Sequence, residues 1–143
     1  VTDVLPDPAT PFGTRVRDRL TDEVVGWLST VGADGTPQPN PVWFLWDGGT
    51  SVLVYNRPRA NRLAHLRRLP RWSLNFDGDG QGGDIVVLTG SATIVDDAPA
   101  AFENGAYLAK YRGRMTRVSG SPEQFAVDYP VALRLTIQRV RGS

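Results

Sequence analysis

Aspartate–glycine turns set the grain of this chain. Asp34-Gly35, Asp47-Gly48-Gly49 and the run Asp77-Gly78-Asp79-Gly80 each separate short apolar stretches. Such dipeptides reach the positive-φ backbone of tight hairpin turns, and between apolar runs they join neighbouring antiparallel strands. "GWLSTV" therefore reads as a strand, "ADGT" as its turn, and "PQPNPVWFLWD" as the returning strand. A second turn leads into "TSVLVYN", so that two successive hairpins form an antiparallel meander. Pro37, Pro39 and Pro41 confine the first half of the second strand to a sheet edge or an irregular stretch, because proline cannot donate to a ladder.

The apolar period then changes. Leu63, Leu66 and Leu69 fall at helical spacing over Arg59–Leu69, with Pro58 suited to the first turn and Pro70 ending the helix. "RWSLNF" returns to strand, "DGDGQGGD" is a hairpin loop, and "DIVVLTGSATIVDD" is a long strand in which Gly90 marks a bulge or bend. A helix is expected from Ala98 to Arg112. A short one follows at "SPEQ", where Ser121 caps, Pro122 opens and Gln124 occupies the capping-box position. "VALRLTIQRVR" alternates as a half-buried strand. The first dozen residues, rich in proline, read as an extended arm (1–13), followed by a short helix over Thr14–Asp22. The total is six strands and about four helices in 143 residues. This predicts one mainly-β domain spanning 1–143, a small antiparallel barrel with helices at its rim.

The composition removes most catalytic chemistries. The chain has no cysteine, one histidine (His65) and one lysine (Lys110). Disulfide scaffolds, thiolate zinc sites, cysteine nucleophiles and multi-histidine metal centres are excluded. The chain either binds without reacting, or a cofactor brings the chemistry. No apolar run approaches the roughly twenty residues of a membrane span. No basic-then-apolar leader opens the sequence as given, and the expected location is cytoplasmic.

The other fifteen basic residues are arginine, and their distribution is uneven. Tyr55 to Trp72 holds six arginines and no acid, whereas Ser73 to Ala109 holds six acids and no base. Arg57, Arg59 and Arg62 crowd the start of the Arg59–Leu69 helix, where the helix dipole disfavours cations. A bound phosphate would explain them, since backbone N–H groups and arginine forks converge there. Arg59 and Arg62 share the Leu63/Leu66 face by spacing and are expected toward the packed side. The competing reading is a solvated basic face.

In "NPVWFLWDGG", alternation sends Val42, Phe44 and Trp46 to one side and Trp43 and Leu45 to the other. A small barrel buries one set. The other must meet a helix, a partner chain or a flat aromatic ligand. "DGDGQGGD" partly imitates a calcium loop, but Leu88 stands where a bidentate glutamate is needed. Its aspartates are expected simply to keep the loop solvated. Tyr107, Lys110 and Tyr111 share one helix and are expected to pack at the surface.

"WLSTVGADGTPQPNPVWFLWDGG" followed by "VLVYNRPRANRLAHLRRLPRWSLNF" resembles the pyridoxamine-phosphate-oxidase-like split β-barrel flavoproteins. More narrowly it resembles their branch that uses the deazaflavin coenzyme F-420. The similarity covers about Gly26 to Ile94, and "AYLAKYRGRM" and "SPEQFAVDYPVALRLTIQRVRG" resemble one F-420-associated subgroup. The resemblance implies a homodimer of six-stranded split barrels, with the cofactor in a groove between subunits. It places the cofactor phosphate on Arg57, Arg59 and Arg62, and the ring along Asn40, Pro41, Val42, Trp43, Tyr55 and Asn56. The family often carries lysine at the position of Arg62. The implied activity is hydride transfer between F-420 and a small-molecule acceptor.

Three alternatives stand beside it. One is an FMN-dependent oxidase or reductase on the same barrel, and another is a non-catalytic flavin or deazaflavin binder. The third, a barrel for single-stranded nucleic acid, calls for aromatics interleaved with the arginines. Between Arg57 and Arg71 there are none.

Overall fold

The computed structural model describes residues 4–143. Helix α1 (Pro11–Asp22) precedes strands β1 (Gly26–Val31), β2 (Pro37–Val42), β3 (Leu45–Trp46) and β4 (Ser51–Asn56). Helix α2 (Asn61–Arg68) leads to β5 (Arg71–Asn75) and the long β6 (Val86–Val95). A 3-10 turn (Ala101–Glu103), α3 (Gly105–Ser119) and α4 (Pro122–Asp128) come before the closing strand β7 (Val131–Gly142). The strands form one antiparallel sheet in the order β2-β1-β5-β6-β7-β4-β3. It curls into a half-barrel flanked by helices, the mainly-β class expected, with seven strands rather than six.

The extra strand arises because the expected second strand divides. β2 pairs with β1 at one margin of the sheet, while β3 pairs with β4 at the other. The chain therefore crosses from edge to edge through Trp43 and Phe44, and the two hairpins are not a continuous meander. Side chains of α3 take over the backbone pairing that the crossing loses. The Tyr111 hydroxyl accepts the Phe44 N–H at 2.9 Å and donates to the Val24 carbonyl at 2.7 Å. Lys110 Nζ donates to the Phe44 carbonyl at 3.0 Å. Sequence periodicity carries no trace of such long-range contacts.

The edge position of β2 follows the proline argument closely. Gln38, Asn40 and Val42 face Thr30, Leu28 and Gly26, and the Gly32 N–H donates to Thr36 one step beyond. These pairs carry the ladder hydrogen bonds. Pro37, Pro39 and Pro41 alternate with them, so each missing N–H falls on the side turned away from the sheet. At Gly90 the expected bulge is present as a register shift between β6 and β7. A Cβ there would lie 1.8 Å from the Thr136 carbonyl oxygen, so only glycine fits.

Several local expectations are corrected. α1 starts at Pro11, capped by Thr10, and not at Thr14. The arm does not lie free over residues 4–10: Val4 and Leu5 pack into the barrel core. Residues 1–3 of the expected arm lie outside the described residues. The helix expected from Ala98 starts only at Gly105, because Asn104 caps it by accepting the Tyr107 N–H. Ser121 caps α4 by accepting the Gln124 N–H, but the Gln124 side chain turns to Asp128 and does not close the box.

The acidic loop also does more than attract water. Asp79 accepts from the Gln81 and Gly83 N–H groups at 2.7 and 2.9 Å. Asp84, at φ 56°, meets Arg15 at 3.0 Å and Arg19 at 2.8 Å on α1. Both contacts are partly solvated, so their joint contribution is about 1 kcal/mol. Asp84→Asn keeps a residue tolerant of that backbone and removes the charge. We expect it to lower the unfolding free energy by that small amount in a urea titration at low ionic strength, with the deficit shrinking in 1 M salt.

Two apolar clusters result. Val42, Phe44, Leu74, Leu88, Leu133, Leu135 and Ile137 are among those filling the barrel, closed by Val16 and Leu20 of α1 and Leu66 of α2. Tyr55, Tyr107, Tyr111, Met115 and Phe125 form an aromatic second core between the sheet and α3–α4. Among the described residues, no helix is long and apolar enough to cross a membrane.

Candidate functional site

The alternation of the aromatic strand decides where the site forms. Val42 and Phe44 are buried in the barrel, and Trp43 turns to the second core. Of the three covers expected for that face, a helix pair supplies one. Trp43 stacks on Tyr111 with centroids 5.0 Å apart and on Phe125 at 5.4 Å. Its outer rim, with Pro41 and Val42, borders a cleft of about 210 Å³. Tyr55, Tyr107, Phe125 and Tyr129 add aromatic walls, Val118 an apolar lip, and Arg62 the cation.

Arg62 is held from beneath. Its Nε donates to Asn56 Oδ1 at 2.6 Å. Asn56 is 0 % exposed, and its amide donates to the carbonyls of Val54 and Val131 at 3.0 Å each. One face of the guanidinium fork is thus fixed to the end of β4 and the start of β7. Among the described residues that is its one hydrogen bond, which leaves the Nη groups available at the cleft. Burial pulls the Arg62 pKa below the usual arginine value, and the nearby Tyr129 phenol pulls it back. Arginine remains charged under either influence.

The nine residues expected to hold a cofactor separate into three groups. Pro41, Val42, Trp43, Tyr55 and Arg62 line the cleft. Asn56 lies under it as the support of Arg62. Asn40, Arg57 and Arg59 are exposed and do not line it. α2 begins only at Asn61, so Pro58 and Arg59 belong to the preceding turn and Arg59 is not on the packed helical face. Arg57 instead lies over the Tyr129 ring at 4.5 Å. His65 is half-buried, with Nδ1 2.9 Å from Thr30 Oγ1. Lys110 is outside the cleft, and burial lowers its amine to about 8 against the opposing pull of Asp22 and Glu23.

The sequence reading missed the α3–α4 wall: Tyr107, Val118, Phe125 and Tyr129. The aromatic residues at 107, 111, 125 and 129 were the available signal, since each lies on or beside a helix whose other face is polar.

The half-barrel with its helical cover defines a split-barrel protein with an aromatic, arginine-bearing cleft. The family model described as pyridoxamine 5'-phosphate oxidase matches residues 12–143, and the chain belongs to that family. No curated protein matches the sequence. Solved structures share the fold at low identity. A conserved hypothetical protein from Mycobacterium tuberculosis is 23% identical over 99% of this chain and 86% of its own, with a TM-score of 0.70. An F-420 reductase is 22% identical over 87% of this chain and 94% of its own, with a TM-score of 0.67. An FAD-binding protein from Mesorhizobium loti is 22% identical over 89% and 86%, with a TM-score of 0.62.

Proposed function

We propose that the cleft binds the ring of a flavin-type cofactor, that this cofactor is F-420, and that the chain is an oxidoreductase acting on a small-molecule acceptor. The observation that carries the reading is the pairing of flat aromatic walls with Arg62, a half-buried arginine locked by Asn56 and open toward the cleft. Aromatic walls suit a planar ring, and a guanidinium fork suits its anionic groups or a phosphate. The likeness to an F-420 reductase supports the choice of deazaflavin.

The residues present fit such a group in part. A cleft of about 210 Å³ lies below the roughly 300–1,000 Å³ of sites that enclose a whole ligand. One chain therefore encloses a ring-sized body, and the remainder of the cofactor would run outward past exposed Arg57 and Arg59. A second copy completing the groove, as the resemblance implies, is part of the proposal. So are a single domain over 1–143 and a cytoplasmic location.

When bound, F-420 supplies hydride transfer. The chain's own residues orient and shield it: Trp43, Tyr55 and Phe125 exclude water from the ring, and Arg62 neutralises its negative charge. No side chain is needed as a nucleophile, which fits a chain without cysteine.

Titrating the protein with F-420 and with FMN, following cofactor fluorescence, tests this. Micromolar or tighter binding of F-420 in preference to FMN is the expected result. Binding of FMN alone overturns the deazaflavin assignment, and binding of neither overturns the cofactor reading. Bound F-420 without turnover of any electron-poor acceptor would leave the non-catalytic binder.

A further inference from the structure

Three tyrosines meet behind the cleft, and two of their hydroxyls are committed to the main chain. Tyr55 Oη donates to the Pro99 carbonyl at 2.7 Å and accepts from Asn104 Nδ2 at 3.1 Å. Tyr111 Oη bridges Phe44 and Val24, as described above. Tyr107 packs edge-on to Tyr55 and tilted against Tyr111, each at 4.8 Å. Its residue is 1% exposed, and its hydroxyl makes no hydrogen bond to the described residues. The oxygen is nevertheless not among the polar atoms sealed from solvent, so it opens into the cleft that Tyr107 lines. A ligand in the cleft meets there a donor with no competing protein partner.

We infer that the Tyr107 hydroxyl is a ligand-reading hydrogen-bond donor, and that the occupant of the cleft presents a carbonyl or oxyanion to it. The inference rests on the reading that the cleft holds a planar cofactor or substrate. Three further observations agree with it. Tyr107 is fixed in place, since its N–H is bound by the Asn104 cap and its ring is wedged between two others. Burial, reinforced by the neighbouring tyrosines, raises its pKa, so the phenol keeps the proton it must donate. Arg62 lines the same cleft. A neutral donor that shares a cleft with a cation favours an acceptor that is anionic or strongly polarised. A site built to donate a hydrogen bond rejects a ring without an acceptor far more strongly than an apolar slot rejects a methylene.

Tyr107→Phe and Tyr111→Phe, compared side by side, provide the test. Because the Tyr107 hydroxyl has no internal partner, Tyr107→Phe is expected to melt at the wild-type temperature or above it. Tyr111→Phe is expected to melt several degrees lower. Affinity for whichever of F-420 and FMN the wild type binds should fall roughly five- to tenfold in Tyr107→Phe, as loss of one hydrogen bond implies. If Tyr107→Phe melts as low as Tyr111→Phe, the hydroxyl has a structural partner and the inference falls. Unchanged affinity overturns it equally. Should the wild type bind neither cofactor, the proposed function fails, and 4-nitrobenzoate, a planar anion read by tryptophan quenching, decides the donor separately. At least fivefold weaker binding to Tyr107→Phe then sustains the inference. Equal binding, or none to the wild type, ends it.

Discussion

We expect Arg62→Ala to weaken cofactor binding at least about tenfold in the fluorescence titration, the loss that follows removal of a charge-assisted hydrogen bond. The size of the effect comes from how Arg62 is mounted. Asn56 holds one edge of the guanidinium, and Asn56 is itself pinned by two main-chain carbonyls. A side chain placed in advance loses little freedom when a ligand arrives. Arg62→Lys retains charge but not the fork, so it should fall between wild type and alanine. Arg139→Ala is the control: Arg139 is exposed on β7, does not line the cleft, and should cost much less. Equal losses at 139 and 62 would mean that diffuse positive charge, and not the mounted fork, binds the ligand.

Tyr111→Ala is the substitution expected to cost the fold most, about 4 kcal/mol or more. Truncating a buried aromatic commonly costs about 3–5 kcal/mol through lost contact and the remaining cavity. Here the Phe44 N–H and the Val24 carbonyl also lose their partner, and Trp43 loses one of the rings it stacks on. Against a total stability of about 5–15 kcal/mol, the variant should show a sharply lower urea midpoint. Tyr111→Phe keeps the ring and isolates the hydroxyl, with an expected loss of about 1–3 kcal/mol. Burial pushes this phenol up to about 12, so the hydroxyl stays a donor across the ordinary pH range. Wild-type stability in Tyr111→Phe would show that the crossing between β2 and β3 does not depend on that bridge.

What the sequence revealed was mostly local. The Asp34-Gly35 hairpin, the edge placement of β2, the Gly90 bulge and the division of Val42/Phe44 from Trp43/Leu45 each follow from one residue type or a short period. What it concealed was set by contacts far apart in the chain. Nothing near Phe44 announces that a tyrosine 67 positions later will satisfy its backbone and let the strand divide. Likewise the arginines could be recognised as a cluster, but their fates could not be told apart. Arg62 is distinguished by Asn56, whereas Arg57 and Arg59 lie just before a helix whose apolar spacing extends back to Arg59 although its hydrogen bonding starts at Asn61. The far wall of the cleft is hidden for the same reason, since it comes from α3 and α4, which fold back from far along the chain over the segment that carries Trp43.

The prolines of β2 bear finally on how copies of this chain can meet. An incoming strand must both give and receive hydrogen bonds at each alternate residue of an open margin. At Pro37, Pro39 and Pro41 this margin offers carbonyls and no N–H, so a docking strand would forgo half of its bonds. At the opposite margin β3 is only two residues long. Sheet-to-sheet growth is therefore obstructed from both ends, and assembly is left to side-chain surfaces, where its geometry can be specified.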